Sequence, residues 1–303
     1  MSGGAAGGPR EPRAGAVPDA AAAPPRFGTR QRQQLGKVPV FLLLCLIAAT
    51  TVYPLLFLAA NALKERTEYA KNVYGLPKGL YLDNFRVLVE NYDILQAFAN
   101  SVMVTATAVT CALLLASLAS FALAKIPFRG RHLVSGLVVG VLLVPAQVLL
   151  IPVYLLFSRL GLINQVASVI LIYTALALPF GTFFLTSSFR GIPNEIIESA
   201  RLDGASLGTV YRTIILPMGR PAILTLAILS FLSMWNELLL GMMLLPDESK
   251  RLLTPTIALL LGRLLTNQPL LMAGLLISSL PTLLVVVFFS RYLVQGITLG
   301  FGR

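Results

Sequence analysis

The sequence predicts an all-α, polytopic membrane protein with six transmembrane helices, and three observations point there. Hydrophobic residues make up 56% of the chain and charged residues only 12%, with a mean hydropathy of +0.79; a soluble domain carries roughly twice that charge. The apolar residues gather in runs of about 20, enough to cross a bilayer's hydrocarbon at 1.5 Å rise per residue. The short alternating segments of a membrane barrel are absent. In lipid each backbone polar group needs a partner within the structure, so the runs are read as helices.

Six spans follow in order: Val38–Ala62, Ala97–Ala124, Leu133–Phe157, Val166–Ser187, Pro221–Leu245 and Leu270–Leu293. The first is long, begins late and lacks a small-residue cleavage site, so it is read as an uncleaved span rather than a signal. The second holds Cys111 and the first Cys45, both read as small buried apolar residues rather than a disulfide or metal pair. Pro145 and Pro152 in the third span, Pro179 in the fourth and Pro281 in the sixth each remove a backbone donor and predict kinked or broken helices. These kinks suit a bundle that lines a pathway and rocks, or they serve packing alone. Gly136-Leu-Val-Val-Gly140 permits close approach of a neighbouring helix. No internal repeat is evident.

Between the first two spans, residues 63–96 carry as many acidic as basic residues and predict one or two interfacial helices. Residues 1–36 are rich in Gly, Ala, Pro and Arg and cannot bury enough surface to order themselves, so they are read as a disordered cytoplasmic tail. Arg26, Arg30, Arg32 and Lys37 either touch anionic membrane lipid or act only as topogenic charge. Lys and Arg clearly exceed acidic residues in the tail and in the loops after spans two, four and six. The loops after spans one, three and five are nearly balanced. The basic excess marks the first set as cytoplasmic, which puts both termini and residues 193–217 on that side. The net charge of +11 is thus a topology signal. No basic stripe interleaved with aromatics accompanies it, so a nucleic-acid partner is not expected.

The segment 193–217 stands out as polar and glycine-broken between two apolar spans. It is read as a short surface helix, a turn at Asp203-Gly204 and a second helix from about Ser206, which together make a docking element for a soluble partner. Glu198-Ser-Ala-Arg-Leu-Asp-Gly-Ala205 followed by Ile214-x-Leu216-Pro217 resembles the EAA signature of ABC importer permeases, with Ser199 where that family usually has Ala. The resemblance runs from about Lys64 to the C-terminus. Ile192-Pro-Asn-Glu195, Trp235-Asn-Glu237 and Gln295-Gly-Ile-Thr-Leu-Gly300 are similar to the carbohydrate branch, specifically the maltose-type second permease. Tyr81-Leu-Asp-Asn-Phe85 is similar to a motif that such permeases carry before the second span.

The resemblance implies a type I importer permease domain over residues 37–303, with the 193–217 loop as a coupling helix that enters a cleft of a cytoplasmic ATPase. It implies a second permease subunit, an ABC ATPase dimer and an extracytoplasmic sugar-binding protein as partners, in a bacterial plasma or inner membrane. Within the loop, Glu198 would offer its charge to the ATPase and Arg201, one turn on, would brace it. Ala200 and Ala205 would keep the surface small, Gly204 would supply a positive φ and Ser206 would cap the second helix. Pro217 would separate that helix from the fifth span.

No Walker G-x-x-x-x-G-K-[ST] sequence occurs, so ATP hydrolysis belongs to a separate subunit. H-E-x-x-H and G-x-S-x-G are also missing, and His132 is the one histidine, so no catalytic residue, metal site or cofactor is expected. Trp235, Asn236 and Glu237 are candidates for a substrate pathway. A carboxylate within a span costs on the order of 2–4 kcal/mol and so faces a cavity or a partner. Glu237 is open to three readings: contact with a sugar hydroxyl, pairing with a polar group of a nearby helix or of the partner permease, or hydration near a span end. Trp235 is open to stacking on a sugar or to packing. The expected function is import of a mono- or oligosaccharide by a non-enzymatic subunit. The alternatives are a glycerol-phosphate or polyol importer, or an ATPase-independent carrier.

Overall fold

The computed structural model describes residues 37–263 and 267–301 together with Gly3, with side chains over residues 39–262 and 267–292. The rest of the tail expected to be disordered lies outside the described residues, and Gln295–Gly300 is described as backbone alone. Every regular element among the described residues is helical. These are α1 (Lys37–Ala62), α2 (Arg66–Lys71), α3 (Asp83–Asn91), α4 (Ile94–Lys125), α5 (Arg131–Leu142), α6 (Leu150–Arg159) and α7 (Val166–Arg190). They continue with α8 (Asn194–Leu202), α9 (Leu207–Val210), α10 (Leu216–Trp235), α11 (Leu239–Leu244), α12 (Leu253–Arg263) and α13 (Gln268–Phe301).

Five unbroken stretches are long and apolar enough to cross a membrane: Pro39–Ala62, Ile94–Lys125, Val166–Arg190, Leu207–Trp235 and Gln268–Tyr292. The third predicted span, Leu133–Phe157, is not one helix. α5 and the stretch Ala146–Arg159 meet at 89°. Pro145 accounts for the break: it lacks an N–H and disfavours helical ψ at the residue before it. It sits extended, at φ −61° and ψ 130°, ahead of a 3-10 turn over Ala146–Leu149. Pro152 falls in the first turn of α6, where the missing donor costs little, and Pro179 and Pro281 stay inside continuous helices.

The fifth span also differs from expectation. It begins at Leu207 and ends at Trp235, so Glu237 lies in a break before α11 and not inside the span. Pro217 does not separate two helices. The chain passes from α9 through a π turn over Tyr211–Ile215 into α10, with the Leu216 N–H bonded to the Tyr211 carbonyl. The wider turn lets the helix continue past a residue that cannot donate. α12 was not anticipated. Leu253, Ile257 and Leu260 recur at helical spacing and are buried, with Pro255 in the first turn.

The chain divides into two compact units, residues 1–53 and 54–303. In the first, α1 exposes Phe41, Leu42, Leu43, Leu44 and Leu46, an apolar surface of the kind that faces lipid. In the second, α4 and α7 form the central pair. The face of α4 toward α7 is built of small residues, Ala108, Ala112, Ala116 and Ser120, all buried. Small residues are what let helices approach in lipid, where apolar burial alone does not drive packing. A Cβ on Gly181 would lie 3.0 Å from the Ala116 Cβ and 3.2 Å from Leu226. Polar groups add specific ties: the Ser120 hydroxyl donates to the Thr182 carbonyl at 2.9 Å, and Ser117 and Tyr211 share a hydrogen bond of 2.6 Å. By contrast, Gly136 and Gly140 of the GxxxG sequence face open space.

The connections sort onto two faces. Asn164, in the loop after α6, donates its N–H to the Leu244 carbonyl, and Lys250 Nζ donates to the Asn164 carbonyl. Asn100, near the start of α4, donates to the carbonyls of Ser249 and Arg251. The loops after the first, third and fifth spans therefore share one face. On it, the Ser249 N–H and hydroxyl, with the Asn164 amide, hold the Asp247 carboxyl below its ordinary pKa. Lys125, at the far end of α4, donates to the Ile192 carbonyl and to Asn194 Oδ1, which ties together the loops after spans two and four on the opposite face.

Asn84, in the Tyr81–Phe85 motif, is buried and donates to the carbonyls of Ala62 and Lys64 at 2.8 and 2.9 Å, capping the end of α1. The Lys64 side chain is fully buried, and its ammonium meets Asn61 Oδ1, the Asn72 carbonyl and the Val73 carbonyl. Oxygen acceptors thus replace its hydration.

Candidate functional site

Two regions hold the residues singled out in the sequence. The first is the helix–turn–helix of α8 and α9. α8 is amphipathic: Ile197 turns inward, with Ile192 just before it, and joins the core of Phe184, Leu185, Phe189, Val210 and Ile215. Its C-terminus closes through three backbone bonds, Asp203 N–H to the Ser199 carbonyl, Gly204 N–H to Arg201 and Ala205 N–H to Ala200. Gly204 has φ +86°, in the left-handed region that glycine enters without strain. The Ser206 hydroxyl then accepts from the Thr209 N–H at 3.2 Å and caps α9. Each feature of the turn was legible because each depends on one local residue.

Other details of the loop differ from the sequence reading. Glu198 and Arg201 are both exposed, and the described residues include no ion pair between them. On a solvated helix face such a pair gains little over hydration. Ala200 and Ala205 are half-buried against the core, so they seat the loop and do not form its outer surface. Ile214 is half-buried beside them, Leu216 and Pro217 lie in the first turn of α10, and Ser199 hydrogen-bonds back to the Glu195 carbonyl. The outer surface belongs to Leu202, which is 89% exposed at the tip, with Glu198, Arg201 and Asp203 around it.

The second region is a cavity of about 480 Å³ lined by α7, α10, the 3-10 turn after Pro145 and the start of α11. Of the three residues proposed from sequence for a pathway, Glu237 alone lines it. Trp235 is 3% exposed. Its ring stacks on Phe231 at 5.5 Å, meets Phe98 edge-on at 5.7 Å, and its Nε1 donates to the Ser278 carbonyl. It is a packing residue, held in the turn before Pro281. Asn236 is exposed, and its side chain folds back on the Leu232 carbonyl.

The Glu237 carboxylate accepts the Tyr173 hydroxyl at 2.9 Å, the Leu240 N–H at 3.0 Å and the Gly241 N–H at 3.1 Å. A carboxylate at the first turn of a helix satisfies donors that have no intrahelical partner. Here it also binds α7 to the end of the fifth span. The sequence reading missed Gln147, Phe180, Ser230 and Ser233, which line the same cavity. Ser230 and Ser233 carried a detectable signal in their i,i+3 spacing on one face of an apolar helix. Gln147 did not, because its position depends on the break at Pro145. Among the described residues no group of His, Cys, Asp and Glu is arranged to hold a metal ion.

Comparison with known proteins places this arrangement. Residues 108–299 match the family model described as binding-protein-dependent transport system inner membrane component. The diacetylchitobiose uptake system permease protein NgcG of Streptomyces coelicolor is 32% identical, over 71% of this chain and 72% of that protein. The arabinooligosaccharides transport system permease protein AraQ of Halalkalibacterium halodurans is 32% identical, over 84% of this chain and 92% of that protein. Among solved structures, a chain of a bacterial ABC transporter involved in import of the acidic polysaccharide alginate superposes with a TM-score of 0.75. Its identity is 24%, and the match covers 88% of this chain and 99% of that one. The fold agrees with the family match, and the chain belongs to the inner membrane components of binding-protein-dependent transport systems.

Proposed function

We propose that this chain is one of two permease subunits of an ATP-driven saccharide importer, coupled to its ATPase through α8 and the turn to α9. One observation carries the coupling reading: Leu202, a large apolar side chain 89% exposed, stands at the tip of a loop whose base is fixed by Ile197, Lys125 and the Gly204 turn. Burying such a side chain in a partner's cleft contributes about 1.5–3 kcal/mol. Glu198, Arg201 and Asp203 would surround it with charge that sets register and specificity.

The subunit performs no covalent chemistry. Closure of an ATPase dimer would pull on α8, and the Lys125 and Ile197 ties would pass that motion to α4 and α7. The excess of Lys and Arg supports assigning the α8 face to the cytoplasm together with both termini. The opposite face, with α2, α3 and the loops after spans three and five, would then receive an extracytoplasmic binding protein. The names of the diacetylchitobiose and arabinooligosaccharide relatives support a saccharide cargo.

The test is affinity purification of the chain from membranes of cells expressing its whole importer. An ATPase subunit and a second permease should accompany the wild-type chain. Leu202→Asp should retain the permease and weaken ATPase recovery about 10- to 100-fold, the scale of one lost apolar anchor. Unchanged ATPase recovery from Leu202→Asp would remove this surface as the docking element.

A further inference from the structure

The cavity at Glu237 has a composition that selects among saccharides. Its ionisable lining groups, among the described residues, are Tyr173 and Glu237; no Lys or Arg reaches it. Glu237 is largely occupied, since three of about four acceptor positions on a carboxylate are taken by Tyr173, Leu240 and Gly241. The groups left for a ligand are neutral. Ser230 is only 8% exposed, yet it lines the cavity, and its hydroxyl has no hydrogen-bond partner among the described residues. Ser233 and Gln147 are exposed to the same space, likewise without side-chain partners there. Phe180, which lines the same cavity, presents a ring that is 42% exposed and stacked on Phe184 at 5.9 Å.

Hydroxyls and a carboxamide both donate and accept, as a sugar hydroxyl requires. An aromatic face accepts the apolar C–H face of a pyranose. Few polar groups on a mostly apolar wall are the usual makeup of a small-molecule site. An anionic sugar fares differently. A uronate carboxylate entering this space would lose its hydration without a cation to replace it, and it would approach the Glu237 charge.

We propose that Gln147, Ser230, Ser233 and Phe180 form a subsite for a neutral saccharide on this subunit's side of the translocation pathway, and that Glu237 with Tyr173 positions its wall. This deepens the saccharide-importer reading and rests on it. The subsite excludes uronic acid oligomers by charge. Its ligand is a pyranose unit held through hydroxyls, with no phosphate or carboxylate to be paired.

The experiment uses inverted and right-side-out vesicles containing the complete importer with Ser233→Cys in this chain, a near-isosteric change on an exposed side chain. Uptake is first measured for a panel of neutral saccharides (diacetylchitobiose, trehalose, maltotriose) and acidic ones (trigalacturonate, an alginate trisaccharide). The rate of alkylation of the new thiol by N-ethylmaleimide is then followed with each. A neutral saccharide that is transported should protect the thiol, slowing alkylation about tenfold at ten times its dissociation constant. The acidic sugars should give no protection, and Leu207→Cys, outside the cavity, should be unaffected by any sugar. Separately, Ser230→Ala with Gln147→Leu should raise the half-saturating concentration for uptake while leaving ATPase recovery unchanged. Transport of a neutral sugar without protection would overturn the subsite and leave the saccharide reading standing. Equal protection by the uronates would overturn the charge selection. Uptake of none of the panel by the wild-type importer would sink the saccharide reading, and this inference with it.

Discussion

Glu237 illustrates how a residue's need for partners is legible in the sequence while its place is not. An isolated carboxylate in an apolar segment needs partners, and the sequence shows that need without naming them. The structure supplies a phenol from α7 and two N–H groups at the start of α11. Substitutions should therefore rank by how many of these donors they strand. Glu237→Leu leaves all three without an acceptor, at about 1–3 kcal/mol for each buried donor. Glu237→Gln keeps one oxygen for Tyr173 and Gly241 but points an amide donor at the Leu240 N–H, so its loss should be intermediate. Tyr173→Phe removes one bond and should cost about 1 kcal/mol. Thermal unfolding of the purified complex should give the order Leu, then Gln, then Tyr173→Phe, from most to least destabilised. Equal stability of Glu237→Leu and wild type would show that the carboxylate is hydrated and not a structural tie.

At the scale of elements, local signals and long-range ones part ways. The turn between α8 and α9 was legible in full because Gly204 and Ser206 act on their own backbone and immediate neighbours. Gly204→Val should lose about 1–2 kcal/mol of loop stability through the left-handed backbone alone, since no atom lies within 4 Å of the position a Cβ would take. Gly204→Asn should recover most of it, because asparagine tolerates that conformation. Substrate-stimulated ATP hydrolysis by the assembled importer should follow the same order, and an active Gly204→Val beside an inactive Gly204→Asn would contradict the backbone argument.

The anchor at Lys125 was not legible, because Ile192 and Asn194 lie far along the chain and nothing local marks the pairing. Lys125→Met should free the loop base. A charge-assisted hydrogen bond is worth about 1.5–3 kcal/mol, so amide exchange across α8 should quicken by roughly 10- to 100-fold, with the central α4–α7 pair unchanged. The break after Val144 and the π turn before Pro217 belong between these cases. Proline announces that something must give, while the surrounding helices decide whether the chain bends by 89° or widens one turn and continues.

At the scale of the whole molecule, composition and run length settled the class, and the Lys and Arg excess supplies only an expected sidedness. The grouping of loops onto two faces rests on hydrogen bonds such as Lys250 to Asn164 and Lys125 to Ile192, which no hydropathy count contains. Assigning one face to the cytoplasm then predicts labelling. In intact cells whose outer barrier has been opened, Lys71→Cys should react with an impermeant thiol reagent, and Leu202→Cys should react only after the inner membrane is breached. Rapid labelling of Leu202→Cys from outside would reverse the assignment. The proposed conversion of ATPase closure into movement of a saccharide pathway through α8 makes substrate-stimulated ATP hydrolysis depend on Leu202. In proteoliposomes holding the complete importer, ATP hydrolysis is measured with and without the saccharide-loaded binding protein, for wild type and for Leu202→Asp. Wild type should be stimulated by the loaded binding protein, and Leu202→Asp should show no stimulation while both permeases remain inserted; stimulation of Leu202→Asp equal to that of wild type would contradict the claim.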